Sequence, residues 1–355
     1  MKITFSISHI GLGGAQRVTL NVIDWFQKNT KDELFLFIES EPRINQFQYD
    51  VSNIEHFFFP NKPLEKVKCI RKKLIEIRPD VVITMGTPNA IYDVPALLGL
   101  GIKHIISERN DPKHFAGKRI TKMLSHFLFK NADGYIFQTT EARDYYGQKV
   151  KPKSTIIPNP LYDVEKLPIK PFSGDRTKEI VTAGRLNPQK NHRLLIDAFY
   201  ESHKVYPEYR LVIFGDGEEK QSDLDLIKKL GLADVVSMPG SVDRLYDRIY
   251  KSSLFVLSSD FEGMPNALIE AMALGLPCIS TDCPCGGPRD IIKNGHNGVL
   301  VPVGDKSKMV EAIKGLLGNE ELSMILSKNA FAIRDVLDNN KICKRWYHYI
   351  HSLKQ

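Results

Sequence analysis

Long hydrophobic runs are missing from this sequence of 355 residues. None approaches the ~20 consecutive apolar residues that a membrane-spanning helix needs. Apolar and polar residues alternate at the start of the chain, whereas a signal peptide has a continuous apolar core. We therefore expect a protein that stays in the cytoplasm.

Cysteine is scarce, with five residues spread widely along the chain. An odd and scattered set argues against a disulfide framework and is typical of a reducing compartment. Cys278, Cys283 and Cys285 lie close together with His296 nearby, so a zinc site is the alternative. Their Cys-x-Cys spacing lacks the second pair of ligands that a structural zinc site uses. We therefore expect no bound metal, with one cysteine buried in a strand and two in loops.

A dense basic face is also missing. The net charge is +7, and no aromatic platforms stand between the lysines and arginines, which argues against nucleic-acid binding. Hydrophobic residues make up 42% of the chain and charged residues 26%, as in an ordinary globular enzyme. The chain is too long for one ordinary core, so two α/β domains are expected.

Strand-like and helix-like patterns alternate through the first half of the chain, which is typical of a doubly wound parallel sheet. A proline-rich and lysine-rich stretch without a period then begins at Lys149. We interpret residues 161–178 as a linker between domains 1–160 and 179–334. The predicted strands of the first domain are 3–8, Leu34–Ile38, Val81–Thr84, His104–Ser107 and Gly134–Gln138, and its predicted helices are 64–77, 89–100 and 117–130.

The most informative stretch of the chain is 254–282. Its apolar run 254–257 is typical of a strand, and residues 267–274 are apolar at helical spacing. The first turn of a helix after such a strand points unpaired N–H groups and a positive dipole end at the crevice above the sheet, which suits an anion. Glu262 and Glu270 flank this place. Phosphate would repel both carboxylates, so we interpret them as ligands of sugar hydroxyls.

Glu262, the following Gly-Met-Pro-Asn-Ala-Leu and Glu270 resemble the Glu-x7-Glu signature of the retaining nucleotide-sugar glycosyltransferases of family 4. In the first domain, Gly13-Gly-Ala-Gln-Arg17 is similar to the Gly-Gly-Ala-Glu-Arg turn of that family. An NAD fingerprint would place a third glycine at Gln16, so NAD binding is the weaker interpretation. The resemblance implies the glycosyltransferase-B fold, in which two Rossmann-like, doubly wound α/β domains face each other across a cleft. It also implies that helix 335–355 returns to the first domain.

The same resemblance implies the residues of the donor site. Arg185 and Lys190 would hold the leaving diphosphate, so no metal would be needed. Glu262 would orient hydroxyls of the sugar, and Glu270 those of the ribose. The predicted catalytic residues are therefore Glu262, Arg185 and Lys190. The predicted donor-binding residues are Gly13, Gly14, Arg185, Lys190, Met238, Pro239, Glu262, Gly263, Met264, Pro265, Asn266, Ala267, Leu268 and Glu270.

One part of the first domain departs from the family pattern. Many members carry a histidine after the strand that ends here at Ser107, where this sequence continues with Glu-Arg-Asn-Asp-Pro. The candidates to replace that histidine are Glu108, Arg109, Asn110 and His114. We expect Arg109 or Asn110 to bind hydroxyls of the sugar.

The predicted helix Lys113–Lys130 is basic, and its apolar face is broadened by Phe127, Leu128 and Phe129. Such a helix is either an ordinary solvated helix or one that rests on anionic lipid. We favour the lipid interpretation for this helix, whereas both interpretations stay open for the basic helix 64–77. The prediction is peripheral association with the inner face of the cytoplasmic membrane.

These patterns together predict a metal-independent hexosyltransferase without a cofactor. It would move a hexose or N-acetylhexosamine from a nucleotide-diphosphate sugar, with a UDP-sugar favoured, to a lipid-linked saccharide in surface polysaccharide or glycan biosynthesis. The alternatives are a sugar-nucleotide epimerase on the same fold and a non-catalytic two-domain solute-binding protein. An epimerase would form product from the donor alone, and a binding protein would show affinity without turnover.

Overall fold

The computed structural model describes residues 1–11, 13–40, 50–114, 119–162, 164–242 and 244–354. They form two compact units, Met1–Tyr162 with Asp338–Gln355, and Asp163–Leu337. The domain borders predicted at residues 160 and 334 lie two and three residues from these divisions, at 162 and 337. The chain therefore enters the second unit once and returns to the first unit at its end.

The first unit alternates strands and helices, as its sequence pattern predicts. Its elements are β1 (Lys2–Ile7), α1 (Gly14–Asn29), β2 (Glu33–Ile38), β3 (Glu55–Phe58), α2 (Pro63–Ile77), β4 (Val81–Met85), α3 (Ala90–Leu97), β5 (Lys103–Ser107), α4 (Arg119–Phe129), β6 (Gly134–Phe137), α5 (Thr140–Tyr145) and β7 (Ser154–Ile156). The strands form one parallel sheet in the order β3-β2-β1-β4-β5-β6-β7. All five residues of β4 are buried, since strands in the middle of a parallel sheet are covered on both faces.

Elements β3 and α5 have no counterpart in the sequence-based prediction, and α4 differs from it at its start. The short edge strand β3 has no fully buried residue, and its apolar run of Phe57, Phe58 and Phe59 is shorter than the about four to eight residues that mark a buried strand. Helix α4 begins at Arg119 in the described part of the chain, and Lys113 lies in a turn before it. The part of the predicted helix at residues 115–118 lies outside the described residues.

The second unit repeats the same architecture with a six-stranded parallel sheet. Its elements are β8 (Thr177–Ala183), α6 (His192–His203), β9 (Arg210–Phe214), α7 (Lys220–Lys229), β10 (Val236–Gly240), α8 (Leu245–Ile249), β11 (Ser252–Leu257), α9 (Asn266–Ala273), β12 (Cys278–Thr281), α10 (Gly287–Ile291), β13 (Val299–Val301), α11 (Lys306–Leu317), α12 (Glu320–Phe331) and α13 (Ile333–Val336). The strand order is β10-β9-β8-β11-β12-β13. The start of β8 at Thr177 shows that the end of the predicted linker already belongs to the sheet.

The last helix, α14 (Asn339–Ser352), is part of the core of the first unit. Its Trp346 side chain is fully buried in the cluster that contains Phe26 of α1. Polar contacts fix the same interface: the Trp25 indole N–H donates to Asn340 Oδ1 at 3.0 Å, and the Tyr135 backbone N–H donates to the Tyr349 hydroxyl at 2.8 Å. The aromatic residues of the chain end are therefore explained by docking on the first sheet.

Across the described residues, no helix combines the length and the apolar character needed to cross a membrane.

Candidate functional site

The second sheet brings several loops together at the carboxyl ends of its strands. β8 pairs with β9 and β11, and β11 pairs with β12, all in parallel. Ligands of such sheets bind outside this edge, where the following loops meet. Two of these loops carry predicted site residues: 184–191 between β8 and α6, and 258–265 between β11 and α9.

Glu262 is held in a buried ion pair with Lys190. The Lys190 Nζ lies 2.5 Å from Glu262 Oε1, and the two side chains are 17% and 8% exposed. The Ser259 hydroxyl donates to the same carboxylate oxygen at 2.7 Å, and the Gln189 amide donates to Oε2 at 3.3 Å. Two residues predicted to hold different parts of the donor are thus direct partners in this structure.

The backbone of this loop is also fixed. The Glu262 N–H donates to the Pro284 carbonyl at 2.7 Å, and the Cys285 N–H donates back to the Glu262 carbonyl at 3.0 Å. At the next residue, the Gly263 carbonyl lies so close to Gly287 that a Cβ on Gly287 would overlap it. Because the loop is anchored to the β12–α10 connection, the Glu262 carboxylate has a defined position.

The β8 loop is held in the same way by the loop that follows β9. Gly215 adopts a φ of +135° and packs against the Gly184 carbonyl, which a Cβ would overlap. The Lys190 side chain in turn passes over Gly184, so a Cβ there would lie 3.0 Å from Lys190 Cε. These glycines let three stretches of backbone approach each other around the lysine.

Helix α9 presents an unblocked amino terminus beside Glu262. Its N-cap residue, Pro265, makes no side-chain capping hydrogen bond, and its first turn contains no acidic residue. Backbone N–H groups at such an end attract an anion. Glu270 follows Asn266 by four residues, so both lie on one side of the helix, where both are half-buried.

Arg185 and His192 complete the β8 side of the site. Arg185 is exposed on the loop that also carries Lys190. His192 begins α6 and is buried, and burial, followed by the charge of Lys190, lowers the pKa of the His192 imidazole to about 4. The histidine is therefore neutral near pH 7, and the net charge of this loop comes from Arg185 and Lys190.

The other predicted donor-binding residues lie around this edge. Met238 is half-buried and Pro239 is exposed near the carboxyl end of β10, the edge strand of the sheet. A hydrogen bond of 2.9 Å from the Gly215 N–H to the Gly240 carbonyl joins that end to the β9 loop. On the α9 side, the buried members are Gly263, Met264, Pro265 and Leu268, and the half-buried members are Asn266 and Ala267.

Sequence reasoning missed several polar residues that hold this site together. Gln189 and Ser259 bind the Glu262 carboxylate, and the Asn191 amide donates to Asp260 Oδ1 at 2.7 Å across the two loops. Gln189 and Asn191 are direct chain neighbours of Lys190, and Ser259 and Asp260 lie within three residues of Glu262, which was the available signal. The contacts of Asn191 and Gln189 join two loops that are about seventy residues apart in sequence, with separations of 69 and 73.

In the first unit, Gly13 and Gly14 form the predicted turn between β1 and α1. Gly13 is the N-cap of α1, and no side chain caps it. His9 supports the turn, because its Nδ1 accepts the Gly11 N–H at 3.0 Å and its Nε2 lies 3.3 Å from the Gln16 amide nitrogen. Gln16, which stands where an NAD fingerprint would have its third glycine, thus makes a side-chain contact with His9.

The loop after β5 is positioned by the buried carboxylate of Glu108. Glu108 accepts the backbone N–H groups of Arg109 at 2.8 Å and Asn110 at 3.2 Å, and it also binds the hydroxyls of Thr87 and Tyr146. Burial raises the pKa of Glu108 against these hydrogen bonds. Four donors therefore fix the loop that stands where the family histidine would be.

Arg109 turns into the protein. Its guanidinium donates to Asn159 and lies 5.9 Å from the ring centre of Trp346, and only 9% of the residue is exposed. Burial lowers the pKa of Arg109 to about 10. These internal contacts favour a positioning role for Arg109 over the expected contact with sugar hydroxyls. Asn110 is half-buried on the same loop, and its sugar contact stays a prediction.

His114 is the remaining candidate on this loop. Its Nδ1 lies 2.8 Å from Asp111 Oδ2, and the Asp111 side chain is 2% exposed while that of His114 is 46% exposed. The carboxylate fixes the orientation of the imidazole.

Metal-binding groups are scattered in the described part of the chain. No cluster of three or more histidine, cysteine or acidic side chains there could hold a metal ion. Cys278 is buried in β12, and Cys283 and Cys285 are buried in the following loop. The sequence contains one Asp-x-Asp, at Asp223 and Asp225, and both residues lie on helix α7.

Comparison with known proteins gives consistent results. An uncharacterized glycosyltransferase of Haemophilus influenzae is 28% identical over 357 residues, which span 97% of this chain and 98% of the relative. An N-acetylgalactosaminyltransferase of Campylobacter jejuni, named for a diphospho-undecaprenol-linked saccharide, is 25% identical over 98% of this chain and 99% of its own. The solved structure of Anabaena HepE in complex with UDP-glucose covers 99% of this chain and 100% of its own with a TM-score of 0.84 and 19% identity.

The structural likeness confirms the predicted fold of two Rossmann-like domains, the glycosyltransferase-B fold. The family described as glycosyl transferases group 1 matches residues 163–349, which is more than half of the sequence and includes Arg185, Lys190, Glu262 and Glu270. This chain belongs to the glycosyl transferases group 1 family and is a glycosyltransferase.

Proposed function

We propose that this protein is a retaining, metal-independent hexosyltransferase. It moves a hexose or N-acetylhexosamine from a nucleotide-diphosphate sugar, with a UDP-sugar favoured, to a lipid-linked saccharide during surface polysaccharide or glycan biosynthesis. The observation that carries the proposal is the buried ion pair between Lys190 on the β8–α6 loop and Glu262 on the loop that leads into the uncapped start of α9. The names of the Campylobacter relative and of the HepE complex support the acceptor and donor classes.

The cations act on the leaving group. Negative charge develops on the diphosphate as its bond to the sugar C1 breaks, and Arg185, Lys190 and the first N–H groups of α9 stabilise that charge. Lys190 is already desolvated and held in place by Glu262 before the donor binds. Preorganised groups of this kind need no rearrangement during the reaction, so they lower the barrier more than mobile surface charges would.

The carboxylates act on hydroxyl groups. Glu262 Oε1 accepts hydrogen bonds from the Lys190 ammonium and the Ser259 hydroxyl. Among the described contacts, Oε2 accepts one from the Gln189 amide at 3.3 Å. Oε2 therefore has lone-pair capacity for a hydroxyl of the donor sugar. Glu270, one helical turn beyond Asn266, serves the ribose hydroxyls.

The lipid-linked acceptor brings the protein to the inner membrane face, and helix α4 provides the contact. Met123, Leu124 and Phe127 are 65%, 47% and 70% exposed. They lie on one side of the helix, and Lys130 at its end is exposed as well. An apolar strip next to a cation suits the interface of an anionic membrane.

Activity of two variants tests the transfer reaction. With a panel of UDP-sugars and a lipid-linked saccharide acceptor, Arg185→Ala and Glu262→Ala should each lower kcat/KM by about 100- to 1,000-fold, the usual effect of removing one group that stabilises transition-state charge or orients the substrate. Arg210→Ala is the matched control, because Arg210 is exposed at the amino end of β9, opposite the site. Full turnover by both site variants would contradict the proposal, and product formed without any acceptor would assign an epimerase instead.

A further inference from the structure

A cavity of about 560 Å³ lies in the first unit at the amino ends of β4 and β5. Because all strands of this sheet are parallel, the cavity is at the opposite edge from the turn at Gly13 and the loop at Glu108. Its apolar wall comes from α2, the α3–β5 connection and α14, and includes Leu74, Leu100 and Ile350. Its volume is that of an ordinary small-molecule site.

Three cationic side chains and one carboxylate line the same cavity: Arg78, Lys103, Lys354 and Asp80. Asp80 is neutralised locally, since its carboxylate accepts the Lys2 backbone N–H at 2.8 Å and lies 3.5 Å from Lys354 Nζ. Lys103 pairs with Asp133 at 3.4 Å, outside the lining set. The guanidinium of Arg78 has no hydrogen bond or ion pair with any residue that the structure describes, so the lining keeps an unneutralised positive charge.

Arg78 also has an unusual backbone conformation. It closes α2 with φ 52° and ψ 61°, and its N–H donates to the Leu74 carbonyl at 2.9 Å. This left-handed position at a helix end is normally taken by glycine, because a Cβ is unfavourable there. The fold would be served better by glycine, yet the chain places a guanidinium at the rim of an apolar cavity.

We propose that this cavity binds a small amphiphilic anion, a phosphate or carboxylate head carried on an apolar chain. The Arg78 guanidinium binds the head as a bidentate donor. The apolar tail of the ligand is surrounded by Leu74, Ile75, Leu100 and Leu353. Burial of its methylene groups supplies most of the binding affinity. The site is independent of sugar transfer, because it lies at the other edge of the sheet.

Titration calorimetry of the full chain with monomeric octyl phosphate tests the site. We expect binding of one molecule per protein. Inorganic phosphate supplies only the head and octanol only the chain, so each should bind at least about tenfold more weakly. Absence of octyl phosphate binding to the wild type would overturn the proposal.

The variant Arg78→Gly separates binding from folding. Glycine suits the backbone at this position, so the melting temperature should be unchanged or higher, while affinity for octyl phosphate should fall by about tenfold or more. Lys72→Gln is the matched control, because Lys72 is an exposed cation on the same helix that does not line the cavity. Equal affinity of the wild type and Arg78→Gly for octyl phosphate would overturn the proposal. It would also be overturned if the protein bound only to vesicles of anionic lipid and Arg78→Gly bound them as well as the wild type.

Discussion

At the scale of single residues, the Glu262–Lys190 pair sets the chemistry of the donor site. Both side chains are largely removed from water, and their charged atoms are 2.5 Å apart. Removing one member of such a pair leaves a buried charge without a partner, which typically costs about 3–5 kcal/mol. The lysine is thus bound to its position by the same carboxylate that we assign to the sugar hydroxyls.

Asp93 is a second buried carboxyl group, and its charge opposes folding. Its Oδ2 accepts the Thr84 hydroxyl at 2.6 Å, while Oδ1 has no hydrogen-bond partner among the described residues. Burial raises the pKa of Asp93 from 3.8 to about 6. Because the folded pKa lies above the unfolded one, this group contributes stability below about pH 4. That contribution is lost as the pH rises through the folded pKa of about 6.

The substitution Asp93→Asn should therefore change the pH dependence of stability. We expect the free energy of unfolding of the variant, relative to wild type, to rise by about 3 kcal/mol between pH 4 and pH 8. The charge of Asp93 also acts to raise the pKa of Glu39 and of Lys66, so the difference reports Asp93 together with its interaction with these two groups. Urea unfolding at several pH values measures it, with Asp234→Asn as the exposed control. A stability difference that does not vary with pH would refute this assignment.

At the scale of elements, α4 has a fixed inner side and a free outer side. Phe129 is fully buried and stacks on Tyr146 with 3.9 Å between ring centres. Tyr146 donates to Glu108, which holds the loop after β5. The helix is thereby attached to the unit through one face, and its exposed apolar residues remain available to a membrane.

The double variant Met123→Ser/Phe127→Ser should weaken binding to anionic liposomes. Burial of each apolar side chain in the membrane interface contributes at most about 1.5–3 kcal/mol to the free energy of binding, and the serine variant loses it. We therefore expect at least about a tenfold lower affinity in liposome co-sedimentation at low salt. Met324→Ser/Ile325→Ser on α12 is the control, because it removes another exposed apolar pair, 61% and 49% exposed, from the second unit. Failure of the wild type to bind at low salt would discard the membrane contact.

At the scale of the whole molecule, the two units differ in how the chain completes them. The second unit is one continuous segment with its own sheet and core. The first unit needs α14, whose Ile342, Trp346 and Ile350 are at most 2% exposed within its core. Its stability therefore depends on a helix that follows the whole second unit in the sequence.

Fragments should reveal this asymmetry. We expect residues 164–337 to melt cooperatively, whereas residues 1–162 should not, because loss of the Trp346 contacts alone costs about 3–5 kcal/mol of a total that is typically 5–15 kcal/mol. Thermal unfolding followed by circular dichroism measures both fragments, and addition of a peptide of residues 338–355 to the first fragment is the control. Cooperative melting of residues 1–162 alone would show that α14 is dispensable.

Much of this architecture could be read from local patterns. Apolar runs and helical spacing predict most strands and helices of the first unit, and the unit from β11 to α9 is predicted with Glu262 in its loop and Glu270 in its helix. The patterns miss β3, which is partly exposed and whose apolar run is only three residues long, Phe57, Phe58 and Phe59. They also do not give the burial of Arg109, because an arginine on a loop is ordinarily exposed.

The sequence by itself determined the two-domain α/β class, the family and the residue types at the donor site, because periodicity, turn residues and the Glu-x7-Glu spacing are local features. Only the tertiary structure decided which residues meet. Glu262 and Lys190 are separated by 72 positions, and the cavity at Arg78 includes α14 from the other end of the chain. Such contacts depend on strand order and on backbone approach at glycines, and neither is encoded in the spacing of neighbouring residues.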